Sequence, residues 1–464
     1  MSLLHHRNAT ICALSTPPGH GALAMIRVSG PEALTAVSAI FSKDLSSSKG
    51  NVIHYGNIVI GKELIDEVIA GVFRAPNSFT GEDVVEISCH GSKYIQQRIL
   101  QLLLANGCVP ATAGEFTMRA FMNGKMDLSQ AEAIADLIAS ESAAAHRLAM
   151  FQLKGGFSRE INQLREELIH FASMLELELD FSGEDVEFAD RKQLLELTKR
   201  IGTIVRKLMD SFAFGNAVKH GIPVAIVGVP NVGKSTLLNT LLNEDKAIVS
   251  DIAGTTRDAI EDVMQINGVE FRFIDTAGLR ETKDVVENIG IERTWKKVSE
   301  ASILLYLVDA ADSTRDEIQH VVDAFKSQLD TQKQKLIVVA NKTDLHRATD
   351  AELQAKFEGM EEVLFISAKE KHNIDQLRER LFSFVSGNTF FSQDVIVTNA
   401  RHHAALEKAN QALAEVEQGL LQKIPSDLIA EHLRSSLFHL GEITGQISTD
   451  DLLSTIFSKF CIGK

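Results

Sequence analysis

Gly228 to Ser235 reads GVPNVGKS, a G-x-x-x-x-G-K-S spacing set between the apolar run IPVAIV and the helical pattern STLLNTLL. In that setting successive backbone N–H groups wrap phosphate oxygens, Lys234 neutralises charge on the β and γ phosphates, and the Ser235 hydroxyl ligates Mg²⁺. A chance glycine-rich turn is the bland alternative, and three further elements that follow in the required order weigh against it. Asp275 to Gly278, DTAG, closes an apolar run, where Asp275 can hold the Mg²⁺ shell and Gly278 can bring its N–H to a γ-phosphate. Asn341 to Asp344, NKTD, closes another run, and the Asp344 carboxylate can accept both the ring N–H and the exocyclic NH₂ of guanine, a donor pair that adenine lacks. Ser367 to Lys369, SAK, supplies a backbone contact to the base at the next run's end. The nucleotide-binding set is then Gly228, Asn231, Val232, Gly233, Lys234, Ser235, Thr236, Asp275, Gly278, Asn341, Lys342, Asp344, Ser367, Ala368 and Lys369.

Hydrolysis asks for more than binding. The loop AIVSDIAGTTRD, Ala247 to Asp258, has the position of a switch, with Thr256 as a second Mg²⁺ ligand that senses the γ-phosphate. Leu279 follows DTAG where Ras-type enzymes place a glutamine that orients the attacking water, so another device is needed. Asn231, inside the phosphate loop, can cage a monovalent cation together with the 247–255 loop, whose Ser250, Ile252 and Thr255 complete the K⁺ set. A potassium ion there does the electrostatic work of an arginine finger. Glu287, in LRETKDVVENIG, can position the water directly or through another water; a solvated helix acid is the alternative that composition favours.

These groups need a β/α framework. IPVAIVG, EFRFIDTAG, ILLYLVDAAD, KLIVVANKTD and EVLFISAKE are apolar runs separated by helical stretches, which predicts a parallel sheet covered by helices on both faces. Asn267-Gly268, between DVMQI and VEFRFID, predicts a tight hairpin and one antiparallel edge strand. Before this region, apolar residues recur at helical spacing at Leu164, Leu168, Phe171, Leu175 and Leu179, and again at Leu194, Leu197, Ile201, Val205, Leu208 and Phe212. After Gly387 the spacing returns, as at Leu433, Leu437 and Leu440. The simplest topology inserts the β/α domain between two halves of one bundle. At the start of the chain, Val/Ile/Phe runs punctuated by Pro and Gly read as strands, and SKYIQQRILQLLLANG as a helix closed by Asn106 and Gly107. The expected fold class is α/β plus α: an N-terminal α/β domain (1–119), a first helical segment (120–215), an inserted Ras-like P-loop domain (216–385) and a second helical segment (386–464) that completes the α-helical bundle.

Composition sets limits on partners. The chain has 464 residues and a net charge of −15, which argues against holding nucleic acid mainly through its own basic surface; such a partner needs a local patch or a helper protein. The four cysteines, Cys12, Cys89, Cys108 and Cys461, show no C-x-x-C spacing, so neither a disulfide framework nor a zinc site is indicated. MSLLHHRNATICALS lacks a secretory h-region and no apolar run approaches a membrane span, so a cytoplasmic protein with no membrane span is expected.

The nucleotide motifs resemble those of the translation-factor-related GTPases, and the choice of GTP rests on that resemblance together with the hydrogen-bond logic above. Longer stretches narrow it. GTTRD, DTAGLRET, IGIERTW, NSFTGEDVVEISCHG (Asn77 to Gly91), GEFTMRAFMNGKMDLSQAEAIADLI (Gly114 to Ile138) and the terminal FCIGK resemble the MnmE (TrmE) family of tRNA modification GTPases, across the whole chain. The resemblance implies an N-terminal folate-binding and dimerising domain, a homodimer, and an FAD-dependent partner, MnmG (GidA), in a heterotetramer or larger complex. It implies tRNA as substrate, with an aminomethyl or carboxymethylaminomethyl group installed on C5 of the wobble uridine, position 34. The one-carbon donor would be a tetrahydrofolate derivative, 5,10-methylene- or 5-formyl-tetrahydrofolate, and hydrolysis would be activated by K⁺ when G domains meet. Carried over by motif, Asn231 ligates K⁺, Ser235 and Thr256 ligate Mg²⁺, and Glu287 assists the water. Arg27, Glu86 and Lys125 match folate contacts: a carboxylate accepts the pterin's adjacent N–H donors and cations suit its anionic tail. Ser92, His20 and Ala22 depart from the usual pattern at that pocket's rim.

Cys461, close to the carboxyl end, has three readings. A prenylation signal would end in Lys464, outside the usual set, with no polybasic segment before it. A buried structural thiol is the bland alternative. The favoured expectation is a tail folded back to the folate pocket, with Cys461 catalytic near the one-carbon unit and Lys464 near the folate. Rival functions are a GTP-switched ribosome-assembly factor without covalent RNA chemistry, which usually carries a basic RNA-binding domain not seen here, and a folate-regulated signalling GTPase.

Overall fold

The computed structural model describes residues 8–180, 190–246, 262–274, 299–330, 334–345, 350–360, 362–386 and 395–463. They divide into two compact units. One gathers the chain up to Ala135 with Gln152–Lys199 and everything from Lys408 on; the other gathers Asp136–Phe151 with Arg200–Glu407.

The first unit is built on a six-stranded sheet of β1 (Ile11–Leu14), β2 (Leu23–Ser29), β3 (Val52–Ile60), β4 (Glu63–Phe73), β5 (Val84–His90) and β6 (Val109–Pro110), in the order β3-β4-β5-β2-β1-β6. All neighbours are antiparallel except β1 and β6. Strand alternation sends Ile26, Val28, Val68, Ala70, Val72, Val85 and Ile87 to one face, where Val37, Ile99 and Leu103 from helices Ala33–Ser38 and Lys93–Ala105 cover them. The second helix ends at Asn106, and Gly107 follows with φ +91°, the left-handed stop expected from the sequence. On the opposite face, register aligns Ile53, Gly71, Glu86, Arg27 and Ala13 in one row across five strands, and Tyr55, Ile69, Ser88 and Met25 in the next. One end of this face is closed by Phe116, fully buried with Ile11 and Ala13.

The same unit contains part of the helical packing expected on both sides of the β/α region. Leu175 and Leu194 from before the β/α region pack with Val416, Ile429 and Leu433 from after it. Helices Gly156–Asp180 and Ser426–Thr444 run antiparallel, since Asn162 meets Gln446 and Glu176 meets Arg434.

The second unit carries β7 (Ile222–Val227), β8 (Asp262–Ile266), β9 (Val269–Phe273), β10 (Ile303–Asp309), β11 (Lys335–Asn341) and β12 (Val363–Phe365), in the order β12-β11-β10-β7-β9-β8. Every neighbouring pair is parallel except β8 and β9. Asn267 and Gly268 join those two with φ +51° and +78°, the left-handed pair that a type I′ hairpin turn requires. Leu237, Leu241, Leu377 and Leu381 cover one face, and Ile318, Val322, Phe325 and Phe357 the other, so the predicted parallel sheet with helices on both faces is present. Among the described residues no helix is long and apolar enough to cross a membrane.

Candidate functional site

The phosphate loop runs from the carboxyl end of β7 to the helix Lys234–Lys246, the crevice position that open α/β sheets offer to ligands. Three residues of the loop are left-handed or nearly so: Gly228 at φ +154°, Asn231 at +62° and Gly233 at +102°. A Cβ on Gly228 would stand 2.3 Å from the Leu307 carbonyl oxygen, and one on Gly233 would stand 2.4 Å from Asn341 Nδ2. Close approach of backbone therefore demands Gly228, and a left-handed φ beside the Asn341 amide demands Gly233. Lys234 Nζ donates to the carbonyls of Gly228 and Val229, each at 2.9 Å, so the ammonium sits over the loop's own backbone. Val232 is buried beneath the loop, and Asn231 and Thr236 are exposed.

Asn341 ties the motifs together. Its Nδ2 donates to the Val232 carbonyl and its Oδ1 accepts from the Ala368 N–H, both at 2.9 Å, while Ser367 Oγ donates to Asp344 Oδ1 at 2.5 Å. GVPNVGKS, NKTD and SAK are thus one hydrogen-bonded assembly, with Asp344 held at its rim and Lys369 exposed beside it. Lys342 adopts φ +64° and its Nζ lies 2.7 Å from Asp309 Oδ2. Burial pushes the Asp309 carboxyl up, but the Lys342 hydrogen bond and the N–H groups of Ala311 and Asp312 outweigh it and hold the group below the usual aspartate range. No sequence motif points to Asp309, which ends β10. With Pro230, Asn231, Asp312 and Lys342 it lines a cleft of about 770 Å³ beside the loop. Ser250, Ile252, Thr255, Thr256, Asp275, Gly278, Glu287 and Lys464, to which the sequence assigns site roles, lie outside the described residues.

In the first unit, Arg27 and Glu86 are direct cross-strand partners. Arg27 Nε and Nη2 reach the same oxygen, Glu86 Oε1, at 2.9 and 2.7 Å. The guanidinium lies over the rings of Phe79 and Phe116, 5.2 and 5.6 Å from their centroids. Arg27 therefore spends its charge on Glu86 and on two aromatic faces, where the sequence suggests a cation offered to an anionic tail. Lys125 Nζ donates to the Pro76 carbonyl at 2.9 Å, so it holds the loop before β5.

The tail does fold back onto this pocket. Thr449 caps the helix Asp450–Phe457, whose Phe457 packs on Phe121, and Phe460 packs on Phe457. Ile462 then bridges to Ala113, Gly114 N–H donates to the Cys461 carbonyl at 3.4 Å, and the Gly463 carbonyl accepts from Ser15 Oγ at 3.1 Å and from Arg27 Nη1 at 3.5 Å. Two glycines make the seat possible. Gly463, at φ +93°, would place a Cβ 2.3 Å from the Leu14 carbonyl oxygen, and Gly114, at φ +67°, would place one 2.7 Å from that of Phe457. Cys461 is exposed, against the buried-thiol alternative, while Cys12, Cys89 and Cys108 are buried. Burial, with Asp66 nearby, pushes the Cys89 thiol up to about 11, so it is an inert packing group. Ser15, Gly114 and Phe79 line this pocket at positions that the sequence does not single out. Phe79 and Gly114 lie in quoted motifs, but nothing in the sequence says which residue faces them.

Residues 10–125 match the family model described as the GTP-binding protein TrmE N-terminus, and residues 128–461 match that of the MnmE helical domain. A protein named tRNA modification GTPase MnmE from Christiangramia forsetii is 54% identical over 473 residues, covering 98% of this chain and 99% of that protein. Its namesakes from Flavobacterium psychrophilum and Bacteroides fragilis are each 52% identical, again over 98% of this chain and 99% of theirs. The chain belongs to the MnmE family. Both family models cover a portion of the assembled pocket: the TrmE N-terminal match holds Ser15, Arg27, Glu86 and Gly114, and the MnmE helical match reaches Cys461.

Proposed function

We propose that this chain hydrolyses GTP and takes part in modifying the wobble uridine, position 34, of certain tRNAs. Working with an FAD-dependent partner of the MnmG (GidA) kind, it forms the 5-aminomethyl or 5-carboxymethylaminomethyl group from a tetrahydrofolate one-carbon donor. The observation that carries this reading is the seating of the tail: the Gly463 carbonyl meets Ser15 and Arg27 of a distant sheet, with an exposed Cys461 two residues before it, in a chain of which MnmE proteins match 98%. In this reading Glu86 accepts N–H donors of the pterin, Arg27 fixes that carboxylate, and Lys125 and Lys464 serve the rest of the folate. The Cys461 thiol acts near the one-carbon unit.

The nucleotide side follows from the loop geometry. Gly228, Gly233 and Lys234 would hold the phosphates, Ser235 and Thr256 the Mg²⁺, and Asp344 with Ser367 the guanine. Asn231, exposed and left-handed at the loop's tip, would hold K⁺ with Ser250, Ile252 and Thr255, and Glu287 would place the water. A homodimer is supported by the open face of the first sheet, where Ile53, Tyr55 and Ile69 are 72%, 60% and 47% exposed in adjoining rows, an apolar surface that a second copy can cover. The segments 1–119, 120–215, 216–385 and 386–464 then serve as pocket, bundle, motor and returning tail, in the cytoplasm.

Mass spectrometry of tRNA nucleosides from cells lacking the gene, complemented with wild type or Cys461→Ser, tests the proposal. Loss of the C5-substituted uridine, restored by wild type alone, is the expected result. An unchanged profile in the deletion would move the function to a GTP-switched assembly factor.

A further inference from the structure

The connection between β4 and β5 carries Phe79, the ring stacked on Arg27, and it is held far more firmly than a surface loop needs to be. Arg74 and Asp83 clamp its two ends at 2.9 Å, and Asp83 also accepts the Ala75 N–H. Inside the loop, Thr80 is fully buried, its carbonyl accepts from Asn123 Nδ2 at 2.8 Å, and its hydroxyl meets Ser29 Oγ at 2.7 Å. Ser29 Oγ also lies 2.7 Å from Glu82 Oε2, and Arg119 Nη1 reaches that same oxygen at 3.1 Å. Arg119 in turn donates to Glu115 Oε1 at 2.9 Å and to the Ala9 carbonyl at 2.8 Å.

Proton counting fixes the direction of this chain. The Glu82 carboxylate only accepts, so Ser29 must give it its single proton, and Ser29 Oγ can then only accept from Thr80. The order is Thr80 to Ser29 to Glu82, with Arg119 closing it from the other side. Each hydroxyl has one donor role and that role is used. The relay is charge-assisted at its Glu82 end, and the Arg119 and Glu115 side chains are only 5% and 4% exposed, which makes these bonds strong and geometrically exacting.

We infer that the Thr80–Ser29–Glu82–Arg119 relay is a positioning device for the pocket: it sets Phe79 over Arg27, and through Arg27 the orientation of the Glu86 carboxylate. Arg27 takes Oε1 twice, and Glu86 Oε2 makes no hydrogen bond among the described residues, so it is the oxygen turned to a ligand's N–H. This rests on the reading of the pocket as the reduced-folate site, and none of the four relay residues touches the ligand in it.

The test is the pair Thr80→Val, which keeps the shape and removes the hydroxyl, and Thr80→Ser, which keeps the hydroxyl. Titration of the full chain with 5-formyltetrahydrofolate should show roughly 5- to 10-fold weaker binding for Thr80→Val, the worth of one buried hydrogen bond, and near wild-type binding for Thr80→Ser. Amide exchange across residues 74–84 should speed up in Thr80→Val alone, with GTP hydrolysis unchanged in both. Unchanged exchange in Thr80→Val, or wild-type affinity despite it, overturns the relay's role, and so does equal weakening by both variants, which would mean packing. A wild-type chain that binds no reduced folate overturns the pocket reading and this role with it.

Discussion

The two sites are built in opposite ways. The phosphate site is almost contiguous: GVPNVGKS supplies its own walls from neighbouring backbone N–H groups, and among the described residues Asn341, itself held by the Ala368 N–H, comes from elsewhere to brace it. The pocket of the first unit has no contiguous stretch of any length. Ser15, Arg27, Glu86, Ala113 and Gly463 come from β-strands, a loop and a tail, and Arg27 alone links Glu86, Gly463 and two aromatic rings. A site made of consecutive backbone survives as a motif, whereas a site made of side chains from many elements exists only after folding. The first should therefore fail locally and the second at a distance.

Lys234→Ala is the largest expected effect on that contrast. Loss of the ammonium should weaken GTP binding by about 100-fold or more, the worth of two charge-assisted hydrogen bonds. Folate binding should stay within about twofold, since it depends on the other unit. Fluorescent-nucleotide and folate titrations on one preparation would check both, and a parallel loss of folate binding would mean the sites are not separately built.

Gly463→Ala is the converse test. Its Cβ would meet backbone at 2.3 Å in a left-handed residue, so the tail must leave its seat. Modified uridine in complemented cells should fall by roughly 10- to 100-fold, with GTP hydrolysis by the purified chain unchanged, because unseating would displace the thiol to which the proposed function gives a part in the chemistry. Retained modification would deny the tail a positioning role. Ser15→Ala should act in the same direction but by a few-fold only, as about 1 kcal/mol is at stake in one partly buried hydrogen bond.

The smallest effect is a titration. Asp309 is held below the usual aspartate range, so its ion pair with Lys342 stabilises the second unit fully above the ordinary aspartate value and loses that contribution as pH falls through the lowered one. Asp309→Asn should cost about 1 kcal/mol at neutral pH and flatten the acid limb of a denaturation profile between about pH 4 and the point of acid unfolding. An acid limb unchanged by the substitution would place the loss elsewhere.

The sequence made the second unit legible for a physical reason. Parallel strands buried on both faces read as unbroken apolar runs, and the turns at their carboxyl ends carry the nucleotide motifs, so fold and site are written in the same places. The Asn267-Gly268 hairpin is equally plain, because Asn-Gly readily takes the two left-handed conformations of a type I′ turn. The first unit gave its strands and the helix ending at Asn106, but not its row of partners. Arg27 faces Glu86 through the β2–β5 register, and register is a property of two strands rather than of either. For that reason the sequence does not show that Arg27 meets a carboxylate and two rings, or that Lys125 meets the Pro76 carbonyl. Thr80 and Ser29 gave no signal at all, since a buried hydroxyl looks like any other in a polar strand end.

The contact between Ser15 and Gly463 spans 448 positions. During synthesis the strands β1 to β6 emerge hundreds of residues before their last partner, at a rate of roughly 5–20 residues per second. The N-terminal sheet can therefore be paired and covered by its helices tens of seconds before residue 463 clears the ribosome, by the same rough rate. Until then the tail's seat stands without its occupant, so an unfinished or prematurely released chain carries the strands of the pocket without the thiol that the proposed chemistry needs.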